Sequence, residues 1–289
     1  MIFPMFRFAT FCSLTCTLGL AVGSLHAAAP YSGPTDTTHP IDPAIASDSG
    51  VFVEWADAID ETRTDFAPEG STSIDESGGF NSLGELTQDL IDAGEQPGFL
   101  TVTFPTGIRN GEDADFAVFE NAQGLFGGEN DLFVELAYVE VSTDGESFAR
   151  FPSIYLNEED SFSGTRAFAE YDVTNIFNLA GKHRSGFGTP FDLDDLLDDP
   201  LVTSGEIDLD NIQFVKLVDI PGSGDFVDSE GNPIYDAWPT VGTGGFDFRL
   251  SEGQSVGVLN AVPEPASLVL FAAGLSLVAG RRGRGGRSR

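Results

Sequence analysis

Six carboxylate or amide side chains stand beside predicted strand ends or in Gly-rich loops: Asp115, Glu120, Asn121, Asp219, Asp236 and Asp247. A hard cation such as calcium is bound by about six to eight oxygen atoms, and acidic loops are a usual source of them. The pattern therefore indicates candidate ligands for a structural calcium ion, and no other cofactor is expected. Chance clustering among 46 acidic residues is the alternative explanation, since no complete EF-hand loop is present.

Four aromatic side chains in loops that contain Gly and Asp are candidate contacts for a carbohydrate: Phe187, Tyr235, Trp238 and Phe246. A ring can stack on the apolar face of a sugar while neighbouring polar groups bind its hydroxyls. The alternative is that these rings close the end of a hydrophobic core. A nearby basic cluster, Lys182 to Arg184, would bind an anion or form intramolecular ion pairs, and the surrounding acids favour ion pairs.

The common catalytic arrangements lack their parts in this sequence. Only His39 and His183 follow residue 29, both cysteines precede it, and neither a Gly-x-Ser-x-Gly elbow nor a His-Glu-x-x-His helix occurs. We therefore expect no catalytic residues and a non-catalytic protein. A secreted glycosidase is the minor alternative, because such an enzyme needs only two suitably spaced carboxyl groups.

Short alternating segments must position these side chains. They occur at residues 100–104, 115–120, 132–142, 147–151, 212–219 and 255–262. Alternation predicts strands with one buried and one wet face, and Asp144-Gly145 predicts a hairpin turn within residues 139–151. Helical patterns cover residues 83–93, ending at Gly94, and residues 190–197, ended by Pro200. The predicted fold is all-β, a single jelly-roll-like β-sandwich with one or two short helices.

The body of the chain is strongly acidic. All 46 acidic residues but only eight of the 14 basic residues lie between residues 30 and 265, which gives this part a formal charge of −38. Nucleic acids and anionic lipid surfaces are excluded as partners because both require cationic contacts. The acidity suits solubility in salt or in a polyanionic matrix, with divalent-cation binding as the alternative. Residues 30–261 are predicted as one domain, in which residues 30–80 form a lead segment, with a loose, Pro- and Thr-rich stretch over residues 30–48.

The first 29 residues have the pattern of a Sec signal peptide. Arg7 precedes an apolar stretch over residues 8–25, which leads into three alanines at residues 27–29. Cys12 and Cys16 lie inside this segment, so the mature chain has no disulfide.

The last 28 residues, 262–289, have three parts. A Val-Pro-Glu-Pro sequence is followed by an uncharged run over residues 266–279 and then by five arginines. Fourteen helical residues span about 21 Å, less than the ~30 Å of bilayer hydrocarbon, so the predicted helix suits a transient anchor whose arginines face the cytoplasm. The candidate sorting and processing residues are Val262, Pro263, Glu264, Pro265, Arg281, Arg282 and Arg284.

This order of Pro-Glu-Pro, hydrophobic span and arginine cluster resembles the PEP-CTERM sorting signal of Gram-negative bacteria. The resemblance implies export through the Sec translocon and recognition by an exosortase. It also implies an intermediate anchored in the inner membrane, followed by delivery to the cell surface or the exterior.

Motifs in the body extend the resemblance. Residues 139–148 (VEVSTDGESF) are similar to a strand-turn-strand of galactose-binding-like sandwiches. Further segments resemble PEP-CTERM cell-surface proteins without an established biochemical activity: residues 115–121 (DFAVFEN), 179–184 (LAGKHR), 186–193 (GFGTPFDL), 231–236 (GNPIYD) and 244–247 (GGFD). The expected function is that of an exported surface or matrix protein associated with exopolysaccharide or biofilm. A carbohydrate-binding module, with or without calcium, is the main alternative.

Overall fold

The computed structural model describes residues 29–68, 70–71, 73–240, 244–251 and 253–263. The predicted signal helix and the predicted hydrophobic C-terminal helix lie outside the described residues, as do Glu264, Pro265 and the tail arginines. Within the described ranges, no helix combines the length and the apolar character needed to cross a membrane.

Strands dominate the described part of the chain, in agreement with the predicted all-β class. They are β1 (Ile45–Ala46), β2 (Glu54–Trp55), β3 (Phe80–Ser82), β4 (Phe99–Ile108), β5 (Phe116–Val118), β6 (Asp131–Phe133), β7 (Ala137–Ser142), β8 (Ala149–Arg150), β9 (Ile154–Tyr155), β10 (Glu170–Asp172), β11 (Ile176–Phe177), β12 (Phe187–Phe191), β13 (Ile212–Asp219), β14 (Asp247–Arg249) and β15 (Val256–Val258). The described helices are α1 (Gln88–Ala93) and α2 (Pro200–Thr203).

Two antiparallel sheets organise these strands. One has the order β1-β12-β5-β15-β2 and the other the order β4-β13-β7-β8, while β10-β6, β11-β9 and β14-β3 form separate pairs. Most neighbours in a sheet are distant in sequence, so residues from remote segments meet at the ends of the strands. The pairing between the two longest strands, β4 and β13, contains a bulge between Ile212 and Phe214.

Apolar side chains from both larger sheets pack into one hydrophobic core. Val102, Val118, Val139, Leu217 and Val256 come from β4, β5, β7, β13 and β15, and each is at most 1% exposed. Packing of two sheets through their inner faces is the usual way in which an all-β chain buries its apolar side chains.

The segment over residues 132–142 departs from the predicted single strand with one wet face. It is divided into β6 and β7, and all six residues of β7 are buried. Val139 and Val141 belong to the main core, whereas Leu136 and Tyr138 belong to a second apolar cluster. The alternating pattern did not predict a solvent-exposed face correctly here, because each face of β7 packs against one of the two apolar clusters.

The two predicted helices have different outcomes. Helix α1 ends where predicted, because Gly94 takes the left-handed conformation with φ 84° and its N–H caps the helix. The prediction for residues 190–197 was wrong. Pro190 belongs to β12, a 3-10 turn follows over Leu193–Leu196, and Pro200 begins α2 rather than ending a helix. Proline suits the first turn because its missing N–H has no helical partner there.

The predicted hairpin is confirmed. Strands β7 and β8 pair antiparallel through Glu140 with Arg150 and Val141 with Ala149. Gly145 supplies the positive φ of 76° that the turn requires, and Asp144 Oδ1 accepts hydrogen bonds from the backbone N–H groups of Glu146 and Ser147.

Residues 31–46 pack on the body instead of forming a loose lead. Ile45 of β1 pairs with β12, and Lys182 forms a fully buried ion pair with Asp42. Ser32 Oγ donates to the Asp42 carbonyl at 2.6 Å, and a ring nitrogen of His183 lies 3.2 Å from the Gly33 carbonyl oxygen. The basic cluster at residues 182–184 therefore holds the lead segment in place through Lys182 and His183.

Candidate functional site

The structure brings together five of the six predicted oxygen donors. Glu120 and Asn121 follow β5, Asp219 is the last residue of β13, Asp247 is the first of β14, and Asp236 lies in the loop between these two strands. Asn121 Nδ2 donates to Asp247 Oδ2 at 3.0 Å. Strand ends from different parts of the chain thus deliver acidic groups to one region.

Backbone N–H groups fix two of these carboxyl groups. Phe246 N donates to Asp219 Oδ1 at 2.7 Å, and Leu136 N donates to Asp236 Oδ2 at 3.1 Å. Each aspartate therefore has one oxygen in a defined position.

Two glutamates that the sequence did not single out complete the site. Glu85 lies between β3 and α1, where its Oε2 accepts a hydrogen bond of 2.7 Å from Thr240 N. Glu135 lies at the break between β6 and β7. The carboxylate cluster is defined by six residues: Glu85, Glu120, Glu135, Asp219, Asp236 and Asp247.

Close backbone packing holds Glu135 in position. Ala137 and Ala180 exchange two backbone hydrogen bonds of 3.1 and 3.0 Å. Next to them, Gly181 has φ 91°, and a Cβ atom there would lie 2.3 Å from the Glu135 carbonyl oxygen. Only glycine fits this position, so the 179–181 segment can lie directly against the backbone of Glu135.

A small cavity lies among the carboxyl groups. Its volume is about 10 Å³, and its lining includes Glu85, Glu135, Asp219, Asp236 and Trp238. This volume admits about one water-sized sphere. A sugar ring does not fit.

Several buried oxygens of the carboxylate cluster have no hydrogen-bond partner. These are Glu85 Oε1, both side-chain oxygens of Glu120, Glu135 Oε1, Asp219 Oδ2 and Asp247 Oδ1. Buried polar atoms are nearly always partnered in folded proteins, so a concentration of exceptions indicates a functional region or a missing partner.

Burial raises the pKa of every carboxyl group in the cluster. It raises the pKa of Glu85 to about 7 and that of Asp247 above its usual range. The pKa values of Glu120, Glu135, Asp219 and Asp236 lie well above those of ordinary carboxyl groups, with burial again the largest cause. Repulsion between neighbouring carboxylates adds to this effect, since four members of the cluster raise the pKa of Glu135 further.

Basic side chains neutralise little of the negative charge that the carboxylate cluster would carry. None of the ion pairs among the described residues includes one of its six carboxylates. Attraction to Arg166 and Arg249 is a minor cause that lowers the pKa of Asp236 and Asp247, respectively, against the larger effect of burial.

Asp115 does not belong to this site, which corrects its prediction as a calcium ligand. It precedes β5, whereas Glu120 follows the other end of that strand. Its Oδ1 accepts from Gly111 N at 2.8 Å and Asn260 Nδ2 at 2.9 Å, and its Oδ2 accepts from Leu193 N at 2.8 Å. Both oxygens are occupied, so Asp115 joins three chain segments instead of binding a cation.

Replacement of Asp115 by alanine is expected to reduce the free energy of unfolding by about 2–4 kcal/mol, because three donors lose their acceptor in a buried place. Urea denaturation measures the change. The matched control is Asp198→Ala, an exposed position where the change should stay within about 0.5 kcal/mol. Equal effects of the two substitutions would contradict the assigned role of Asp115.

The four candidate sugar-contacting rings do not form one platform. Phe246 is fully buried in the main core, which corrects its prediction as a glycan contact. Trp238 lines the small cavity and donates from Nε1 to the Leu86 carbonyl at 2.9 Å, whereas Tyr235 lines a separate groove of about 380 Å³. Phe187 lies in β12 and pairs with Ala46.

Comparison with known protein families identifies one segment. Residues 261–284 match the family model of the PEP-CTERM protein-sorting motif. The search among curated proteins gave no match. The motif supports export of the chain and its sorting by an exosortase, with a membrane-anchored intermediate that precedes delivery to the cell surface or the exterior.

Proposed function

We propose that this protein is a non-catalytic component of the cell surface or extracellular matrix of a Gram-negative bacterium, associated with exopolysaccharide or biofilm. The observation that carries the proposal is the sorting motif and its place relative to the folded body. The match begins at Ala261, which bridges to Ile108, and Val262 N donates to the Gly107 carbonyl at 2.9 Å. Among the described residues, the last of these backbone contacts with the body therefore lie at the start of the sorting segment.

The acidity of the body supports the proposed surroundings. A formal charge of −38 over residues 30–265 keeps the protein soluble and repels other polyanions. Association with an acidic polysaccharide would therefore use the uncharged sugar units of the polymer or cations that bridge the two negative surfaces. We also propose that the body is a jelly-roll-like sandwich similar to galactose-binding-like domains.

The inaccessibility of reactive groups supports a non-catalytic role. Ser32 Oγ lies 3.4 Å from a ring nitrogen of His183, but both residues are at most 1% exposed. The buried carboxylates surround a cavity that is too small for a sugar. A substrate has no access to either group in this conformation.

Replacement of the five tail arginines by glutamine is expected to block processing. The positive charges hold the end of the hydrophobic segment on the cytoplasmic side, and without them the precursor should keep its C-terminus and be misrouted. Mass spectrometry of the C-terminus and cell fractionation measure this outcome. Arg150→Gln, on the exposed surface of the body, is the control, and normal processing of the tail variant would contradict the sorting proposal.

Association with the matrix requires a separate test. The processed protein should co-fractionate with exopolysaccharide and be released into the medium by cells that lack the polymer. Unchanged retention on such cells would contradict the matrix proposal. Binding to a defined oligosaccharide on a glycan array would favour the carbohydrate-binding alternative.

A further inference from the structure

Two members of the carboxylate cluster that line its small cavity carry oxygens without a hydrogen-bond partner. Asp219 is 1% exposed and Glu135 is 5% exposed. Each lines the cavity and has one oxygen, Asp219 Oδ2 and Glu135 Oε1, without a hydrogen-bond partner. Two buried, unpartnered carboxyl oxygens thus belong to side chains that line one small cavity.

Burial of such groups is unfavourable unless their charge is neutralised. A buried carboxylate without a partner destabilises the fold by several kcal/mol, so it takes up a proton or binds a cation. Arg166 and Arg249 are the basic groups that act on the cluster, and neither forms an ion pair with it in the described residues. The cluster therefore requires another source of positive charge.

The chemistry of the lining selects a hard divalent cation. All the side chains that offer free charge are carboxylates, and neither histidine nor cysteine lines the cavity. Calcium accepts irregular sets of oxygen ligands, whereas magnesium requires a near-octahedral set and tends to retain several waters. A cavity of about 10 Å³ has room for an ion smaller than a water molecule but not for a hydrated magnesium ion.

We propose that the carboxylate cluster binds one calcium ion in the cavity lined by Glu85, Glu135, Asp219 and Asp236. No three acidic, histidine or cysteine side chains in the described residues already stand in a metal-ligand arrangement. Binding therefore includes rotation of side chains whose oxygens are free, with Asp219 and Asp236 held by their backbone hydrogen bonds. The site goes beyond the proposed surface role and does not depend on it.

Thermal unfolding with calcium tests the site. After treatment with a chelator, addition of calcium to about 10 mM at constant ionic strength should raise Tm by about 3–10 °C, for an affinity typical of extracellular calcium modules. The same concentration of magnesium should produce a much smaller shift.

Asp219→Asn separates loss of the site from loss of the fold. Its amide oxygen can still accept from Phe246 N, and the variant lacks a buried charge, so its Tm in chelator should be no lower than that of the wild type. The calcium shift should disappear. Asp198→Asn makes the same change at an exposed position and should keep the full shift.

Terbium luminescence gives a second measurement that does not depend on stability. Terbium replaces calcium, and Trp238 lines the cavity, so excitation of tryptophan should sensitise the bound ion. Trp238→Phe should remove this signal, whereas Trp55→Phe, the matched change at the only other tryptophan of the sequence, should retain it.

Three outcomes would overturn the proposal. They are no change of Tm with calcium, an equal shift with magnesium, and a full calcium shift in Asp219→Asn. A chelated protein that is stable and indifferent to calcium would instead show that protons neutralise the cluster.

Discussion

Lys182→Met is expected to reduce the free energy of unfolding by about 3–5 kcal/mol, which is the usual effect of removing one partner of a buried ion pair. Lys182 is fully buried, and Asp42, its partner, is 2% exposed. The ammonium group also donates to the Ile176 carbonyl at 2.6 Å. Methionine fills the space of the aliphatic stem but leaves the carboxylate of Asp42 without its counter-charge. Urea denaturation measures the loss.

The chain provides its own control for this substitution. Lys216 is 22% exposed and its Nζ lies 3.3 Å from Glu140 Oε2. Lys216→Met should therefore reduce stability by only about 1 kcal/mol. The double variant Lys182→Met with Asp42→Asn should recover part of the loss, because asparagine removes the uncompensated charge, still accepts from Ser32 N and tolerates the positive φ of 49° at this position. Equal losses for the two lysine variants would contradict a special role of Lys182.

Stability of the chelated protein is expected to fall as the pH rises from 6.5 to 8. A carboxyl group whose folded-state pKa is raised binds more protons in the folded state than in the unfolded state between the two pKa values. Its contribution is therefore complete below the unfolded-state pKa and is lost as the pH rises through the folded-state pKa. For Glu85 this range extends from 4.5 to about 7, and burial also raises the pKa values of Glu120, Glu135, Asp219 and Asp236 well above those of ordinary carboxyl groups.

The expected slope is large. Each proton that only the folded state retains reduces the free energy of unfolding by about 1.4 kcal/mol for every pH unit over which it is retained. Two buried bases act in the opposite direction at the ends of this range. Burial holds the pKa of His183 well below its unfolded-state value of 6.5, so its effect ends near the lower limit of the range. The pKa of Lys182 is lowered to about 8, so its effect begins near the upper limit.

Urea midpoints at several pH values measure the slope. Asp219→Asn should flatten it, whereas Asp198→Asn should not. A flat profile for the chelated wild type would show that the cluster carries no excess protons.

Local patterns allowed much of the fold to be predicted. The strand predicted at residues 212–219 has the same bounds as β13, since it lies in the middle of a sheet, and Gly94 ends α1 because its backbone conformation suits glycine. The two-residue strands β1 and β2 could not be assigned in this way, because their partners, β12 and β15, are distant in sequence. Residues 190–197 were misassigned because Pro190 tolerates a strand and Asp192 caps only a short 3-10 turn.

The candidate site was predicted in part for similar reasons. Glu120, Asn121, Asp219, Asp236 and Asp247 were recognised because they stand at strand ends or in loops. Glu85 was not recognised because it lies in the helix predicted over residues 83–93. Glu135 was not recognised because the continuous strand predicted over residues 132–142 would place its side chain in solvent. The break between β6 and β7 turns Glu135 inward, and only tertiary pairing with the segment at residues 179–181 explains this break.

The folded body offers few amino groups for covalent attachment, because its only lysines are Lys182 and Lys216. Lys182 is sealed in its ion pair, and the Nζ of Lys216 lies over the rings of Phe99 and Phe148 at 4.5 and 5.3 Å from their centroids. Isopeptide bonds to lysine are therefore disfavoured over the described surface, which also lacks cysteine. Amine-reactive labels should therefore mark mainly the mature N-terminus.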